Sequence, residues 1–412
     1  KSPPAMSRAH PSRDVPTTND DARRIRPGLR TAPARGRTWG KRVLILIPGG
    51  CLALLLLILL SNWITSETLG RGSTEANGIL DWQEAYGTHT AQEPPQTTVA
   101  VSGDPSVFSL PQVLSVEDAV ETNDRWTLLD RRLGKVHLLH KDSGLIRSLG
   151  REGEGPGELR RPLALTLQDT LLWVVNQQGF SLDIFSPGSG FLVRERITGG
   201  GCLAGLAKRL ASAGPGGALF MHICPATLPG PGTAWVEFLS PDGELRPILS
   251  LPLGRVGSRR LHPFRQPALA AGSGMFYLGT WDAPCLLSFT TEGDPIGRFC
   301  LPDSERVSVP QREKAMLEER FQGITRMGLL PMEVPDLLPW YDAVFSTSVG
   351  PVVRRIRGES DRDLVLLFPD GTTSVTDRRF PEGTFVGERS ILVVRDQLQG
   401  TEIRVYRNPW TG

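Results

Sequence analysis

Two patterns of apolar and polar positions divide the chain. The first is one unbroken apolar run, Val43 to Ile64 (VLILIPGGCLALLLLILLSNWI), with 22 residues and no charge. As an α-helix it would be about 33 Å long, enough to cross the hydrocarbon core of a bilayer, so it predicts a transmembrane helix. The second pattern starts near Thr98. Short runs of Val, Leu, Ile, Phe and Trp alternate with Gly, Pro, Asp and Ser turn clusters, and helical periodicity is nearly absent. That is the signature of an all-β domain.

The runs repeat as strand, strand, turn, strand. One unit has Trp126 to Asp130, Lys135 to His140 and Leu145 to Leu149; the next has Leu171 to Asn176, Ser181 to Ser186 and Phe191 to Ile197. A third has Ala218 to Cys224, Ala234 to Ser240 and Glu244 to Leu251, and a fourth has Met275 to Thr280, Cys285 to Thr290 and Pro295 to Leu301. A fifth has Val352 to Arg357, Leu364 to Phe368 and Thr372 to Phe380, and the last has only Ser390 to Arg395 and Thr401 to Tyr406. A unit of roughly 40 to 55 residues is the period of a β-propeller blade. The reading is therefore a six-bladed β-propeller, preceded by a single transmembrane α-helix and an extended N-terminal tail. Innermost strands are expected at Leu163 to Leu167, Pro267 to Ala270, Ala343 to Val349 and Thr384 to Val386. The last blade lacks its outermost strand, which Val107 to Leu110 or Thr98 to Val101 would supply, closing the ring and removing an open sheet edge.

Composition adds little until it is divided. The 412 residues are 39% hydrophobic and 22% charged, which excludes wholesale disorder, and the formal net charge is only +2. Residues 1–42, however, hold eleven Lys or Arg against three Asp, a charge of +8, leaving 35 basic and 41 acidic residues, or −6, for the remainder. The basic, Pro-rich tail before the apolar run places the N-terminus in the cytoplasm and everything after Ile64 across the membrane, which for a bacterial inner-membrane protein would be the periplasm. A cleaved signal peptide is the rival, but the run is longer than an h-region and SNWITSE has no A-x-A site. Trp39 and Trp63 stand where interfacial anchors belong, and Gly49 and Gly50 after Pro48 form a small-residue patch that marks either a kinked anchor or a helix-docking face. No ionisable side chain lies in the span, so it is read as an anchor or docking element and not as an ion path or pigment ligand. The domains expected are thus the tail (1–42), the span (43–64), a Gly/Ser/Thr-rich linker (65–97) and the propeller (98–412).

Gly150 to Pro162, GREGEGPGELRRP, resembles the loop that joins one blade to the next in bacterial six-bladed propellers of the NHL/TolB-like kind, and Val334 to Val344, VPDLLPWYDAV, resembles their approach to a late blade. In physical terms Gly153, Gly155 and Gly157 allow positive φ in a tight crossing that Pro156 stiffens. A phosphate cradle would instead open a helix and carry Lys-Ser/Thr, which is missing here. The resemblance also raises lactonase-like propellers, which hold Ca²⁺ through Glu, Asn and Asp, roles for which Glu158, Asn176 and Asp282 are available without any supporting spacing. A helical insertion is expected near 308–325, its helix over Pro310 to Gly323 (PQREKAMLEERFQG), capped by Ser308 and packed through Ala315, Met316 and Phe321.

Four of the five Cys follow the span, as an oxidising compartment allows. Cys285 and Cys300 are equidistant from the Glu292/Gly293 turn and would face each other across a hairpin, a disulfide with a geometric reason. Cys202 and Cys224 are then left as a second pair, and Cys51 stays unpaired. His137 and His140, three apart on a strand, point to opposite faces and do not converge on a metal. Arg259-Arg260 and Arg354-Arg355 are read as exposed strand or loop charges and not as a nucleic-acid site. Neither a catalytic constellation, a metal site nor a cofactor is assigned. The layout resembles the extrinsic propeller subunit of some bacterial photosynthetic reaction-centre and light-harvesting assemblies, which implies a non-catalytic scaffold that binds membrane subunits and lipid without ligating pigment. The alternatives are a periplasmic ligand-binding or signalling propeller and a lactonase-like metal-dependent hydrolase.

Overall fold

The computed structural model describes residues 95–411 apart from 177–180, 201–205, 215, 225–232, 254–266, 273, 303–306, 327–333, 359–360 and 398–399. The tail, Trp39, Gly49, Gly50, Cys51, Trp63 and the linker before residue 95 lie outside the described residues, and so does Arg259-Arg260.

The chain enters through two strands, β1 (Gln96–Val99) and β2 (Ser106–Leu110). Blade 1 follows as β3 (Val116–Glu121), β4 (Arg125–Asp130), β5 (Lys135–His140) and β6 (Gly144–Leu149). Blade 2 is β7 (Pro162–Gln168), β8 (Leu171–Asn176), β9 (Ser181–Ser186) and β10 (Gly190–Arg196). After the two-residue β11 (Thr198–Gly199), blade 3 is β12 (Leu206–Ser212), β13 (Ala218–Cys224), β14 (Thr233–Leu239) and β15 (Glu244–Pro252). Blade 4 is β16 (Pro267–Gly272), β17 (Met275–Thr280), β18 (Cys285–Thr290) and β19 (Pro295–Cys300). A helical insertion, α1 (Gln311–Arg326), precedes blade 5, which is β20 (Tyr341–Ser346), β21 (Pro351–Ile356), β22 (Arg362–Leu367) and β23 (Thr373–Thr376). Blade 6 is β24 (Thr384–Val386), β25 (Ser390–Gln397) and β26 (Gly400–Arg407). Each blade is an antiparallel meander with its first strand innermost.

The core explains why the middle strands read as continuous apolar runs. Alternate residues of a strand face opposite ways, and here both faces are covered by neighbouring blades. In blade 4, Leu269, Phe276, Leu278, Leu287 and Phe289 pack on blade 3, while Ala268, Ala270, Tyr277, Leu286 and Phe299 pack on blade 5. A separate apolar cluster fills each of the six blade-to-blade interfaces.

Both N-terminal segments are used, on different blades. β2 pairs antiparallel with β26, from Ser106 opposite Val405 to Leu110 opposite Thr401, and becomes the fourth strand of blade 6. β1 adds in parallel to β23 as a fifth strand of blade 5, so that segment strengthens a complete blade and does not close the last one. Closure is sealed where blade 6 meets blade 1: Leu392, Val394, Ile403 and Val405 pack on Trp126, Leu128 and Leu139, and the Trp126 indole donates to Ser390 Oγ at 3.0 Å.

The insertion departs from the sequence reading in its packing. α1 begins after Pro310, whose carbonyl accepts from Lys314 N at 2.9 Å, while Ser308 forms a bridge with Leu337 in place of a cap. Ala315 is exposed and Met316 is 55% exposed; Leu317 instead meets the small cluster of Val309, Leu338 and Ile356. Leu317 is the side chain turned toward the two segments flanking the helix, a contact that spacing within the helix alone does not reveal.

Candidate functional site at the channel mouth

The loop 150–161 shows how one end of the ring is made rigid. Gly153 has φ 154° and Gly157 φ 74°, so these two positions need glycine for their backbone. Gly153 and Gly155 lie closely against the Glu158 carboxylate, which accepts from Gly155 N at 2.8 Å and from Arg151 Nε at 2.7 Å. From blade 2, Arg194 reaches over the loop. It donates to the carbonyls of Glu154 (2.7 Å) and Glu158 (2.6 Å) and to both oxygens of the fully buried Asp183 (2.5 and 3.1 Å). Burial raises the Asp183 carboxyl above its ordinary range, against the opposing pull of Arg194. Gly155 does not take the positive φ expected of it, and Arg194 and Asp183 are partners of the loop that its sequence does not contain.

The motif before blade 5 works in the same way. Tyr341 is fully buried and its hydroxyl donates to Thr280 O at 3.0 Å, in the space that a side chain on Gly279 would occupy. Trp340 N donates to Trp281 O at 2.8 Å. These contacts fix the next residue, Asp342, at the start of the inner strand.

Asp342 lines a cavity of about 930 Å³ at the end of the ring where the inner strands begin. Its wall includes Arg209, Leu269, Trp281, Phe345, Arg354 and Phe385, with Glu117, Glu382, Arg395 and Asp396 also on it. The charges are held by one another. Asp342 Oδ1 accepts from Arg354 Nε at 2.6 Å and Oδ2 from Arg362 Nε at 2.8 Å, and Arg354 Nη1 donates to Thr384 O at 2.8 Å. Across the channel, Asp118 of blade 1 accepts from Arg209 of blade 3 at 2.6 Å and from Leu165 N of blade 2 at 3.1 Å. Burial raises the Asp118 carboxyl, while Arg209 pulls it down. That bridge draws blades 1 to 3 together.

Arg354 and Arg355 are therefore not exposed, as the sequence reading had them; they are 7% and 1% exposed. Adjacent strand residues face opposite ways, and each finds its own carboxylate. Arg355 makes two 2.9 Å bonds to Asp363, which also accepts from Arg357. Burial alone would raise the Asp363 carboxyl, but these two guanidinium groups outweigh it and hold it low. The available signal was Arg placed within PVVRRI and RDLVLL, where burial on both faces requires a partner.

Other candidate residues separate. Cys285 and Cys300 are paired residues of β18 and β19 and form a disulfide. Cys202 and the Cys224 side chain lie outside the described residues. Glu158 is engaged in its own loop, Asn176 Nδ2 lies 3.5 Å from Asp183 in blade 2, and Asp282 follows β17, so the three are not brought together. Among the described residues no group of three or more His, Cys, Asp or Glu is placed to hold a metal ion. His137 is buried against Ser148 Oγ at 2.8 Å. His222, 3.4 Å from Glu237, is pushed down to about 4 by burial.

No family model and no curated protein matches the chain. Solved structures do. A Bacteroides fragilis protein described as exported is 10% identical, with a TM-score of 0.48, over 76% of this chain and 99% of its own. A calcium-binding protein, regucalcin, from Agrobacterium tumefaciens is 13% identical, with a TM-score of 0.44, over 76% and 96%. BamB from Moraxella catarrhalis is 11% identical, with a TM-score of 0.36, over 76% and 96%.

Proposed function

We propose that this chain is a non-catalytic binding propeller, tethered to a membrane by the apolar run 43–64, which engages its partner through the channel mouth. The observation that carries the reading is the arrangement of that mouth. An open cavity of about 930 Å³ is lined by Asp342, Arg354 and Arg209, each pinned in an ion pair, Asp342 with Arg354 and Arg362, and Arg209 with Asp118. Guanidinium groups do not release protons at physiological pH and present fixed positive charge to a ligand. Such a wall is suited to holding a ligand in place, not to moving a proton. The cavity also lies within the size range of ligand sites.

The tether rests on sequence. Among the described residues no helix is long and apolar enough to cross a membrane, and residues 43–64 lie outside them. The finer form of the reading is an accessory subunit of a membrane assembly, possible partners including a photosynthetic reaction-centre and light-harvesting complex, and it rests on layout alone. Extraction of the full-length chain from its own membranes in gentle detergent tests both levels. The expected result is a discrete species heavier than the chain and its micelle, containing a stoichiometric membrane partner. A chain that remains alone, or that leaves the membrane in a salt wash, overturns the reading. Pigment absorbance in the discrete species would support the finer form, and a pigment-free partner would defeat it.

A further inference from the structure

The ion pairs at the mouth leave particular donors unused, and these face the cavity. The oxygens of Asp342 are divided between two guanidinium groups, one to Arg354 Nε and one to Arg362 Nε. Arg354 Nη1 is taken by Thr384 O, whereas Arg354 Nη2 has no acceptor among the described residues, although the residue is only 7% exposed and lines the cavity. Arg209 repeats the arrangement from blade 3. Asp118 accepts its Nη1, the second Asp118 oxygen is occupied by Leu165 N, and Nε and Nη2 of Arg209 have no acceptor among the described residues. Between the two arginines the wall is formed by Pro267, Ala268 and Leu269 of the blade 4 inner strand, which are small or apolar.

These donors are not sealed in the interior but belong to residues that line an open cavity, and the group that pairs with such a guanidinium best is a planar oxyanion with paired acceptors. The geometry points to a binding site for a carboxylate on an apolar body, with the carboxylate received by Arg354 Nη2 and Arg209 and the body lying against Trp281, Phe345 and Phe385. Glu382 and Asp396 on the same wall, together with Glu117, which is paired to Arg131 at 3.3 Å, outnumber Arg395 there and oppose a ligand bearing several negative charges. The site thus selects one carboxylate over phosphate or a polyacid. The carboxylate belongs either to a free organic acid or to an acidic side chain in an apolar stretch of a partner polypeptide. The inference deepens the binding reading of the same mouth and rests on it.

The test is calorimetric titration of the purified full-length chain in detergent with four probes: phenylacetate, phenylacetamide, inorganic phosphate, and an acetylated, amidated Phe-Glu peptide. Saturable binding of phenylacetate, with the amide weaker by about tenfold or more, is expected because the amide loses the charge-assisted bonds. Arg209→Gln, at a partly exposed position, should weaken phenylacetate by about tenfold. Arg354→Lys keeps the charge opposite Asp342 but removes the fork, and should weaken it to a similar degree. Tighter binding of the peptide than of phenylacetate would assign the carboxylate to a partner polypeptide, and the reverse to a free acid. Equal binding of acid and amide, displacement of phenylacetate by phosphate, or wild-type affinity in both variants would overturn the inference. A chain that co-purifies with its partner yet ignores all four probes would defeat this assignment and leave the binding-propeller reading standing.

Discussion

Replacing Arg194 with Met would test whether the blade-linking loop is held by a buried ion pair. The substitution removes two bonds to Asp183, whose side chain is fully buried, and two to the loop carbonyls of Glu154 and Glu158. Breaking a buried pair from one side typically costs about 3–5 kcal/mol, because the remaining charge has no solvent. The loop carbonyls lie near the surface and can bond water, so they add little, and a loss of about 3–4 kcal/mol is expected at neutral pH. The pH dependence has a definite sign. The Asp183 carboxyl is already raised in the folded state by burial, so its contribution to stability is fully present below the ordinary carboxylate pKa and is lost as pH rises through the raised folded value. Without Arg194 that value rises further. The gap between variant and wild type should therefore widen from pH 5 to pH 8 and narrow toward pH 4. Urea unfolding followed by tryptophan fluorescence measures the gap, and hydrogen exchange across residues 150–161 should accelerate in the variant. Adding Asp183→Asn to Arg194→Met removes the stranded charge and should recover at least half of the loss. A loss below about 1 kcal/mol, or a double variant no more stable than the single, would refute the reasoning.

Other expectations concern separate parts of the ring. Replacing Cys285 and Cys300 together with Ala opens a link of sequence separation 15 and should cost about 3 kcal/mol in urea unfolding; no measurable loss would show that hairpin pairing alone holds blade 4. His222 should titrate by NMR with a midpoint of about 4, and its depressed value means that stability is lost as pH falls from about 6.5 toward 4; a midpoint near 6.5 would place the ring in solvent. Leu317→Ala should destabilise the insertion by about 1–2 kcal/mol, whereas Met316→Ala, on the exposed side of α1, should stay within about 0.5 kcal/mol; equal effects would contradict the observed docking.

Much of the propeller was legible in the sequence because its middle strands are buried on both faces. Runs such as LLWVVN and CLLSFT are recognisable wherever a turn cluster bounds them. The innermost strands of blades 1 and 3, VEDAVE and LAKRLAS, were not, since they border the channel and carry the charges that line or bridge it. The site was hidden for the same reason. Asp342 and Arg354 lie twelve residues apart on neighbouring strands, while Asp118 and Arg209 are separated by 91 residues and meet only because blade 2 brings blades 1 and 3 together. Local spacing carries no trace of such a pair. The disulfide was legible because symmetry about one hairpin turn is a local property.

The central claim is that this chain binds a partner at the channel mouth while anchored in a membrane. Its most direct test is native mass spectrometry of the full-length chain released from its own membranes in gentle detergent, compared with the Arg209→Gln variant prepared identically. The account predicts a defined complex with a membrane partner for the wild type and a reduced share of that complex for the variant. A wild-type chain found only as a monomer, or a complex unaffected by the change at the mouth, would contradict it.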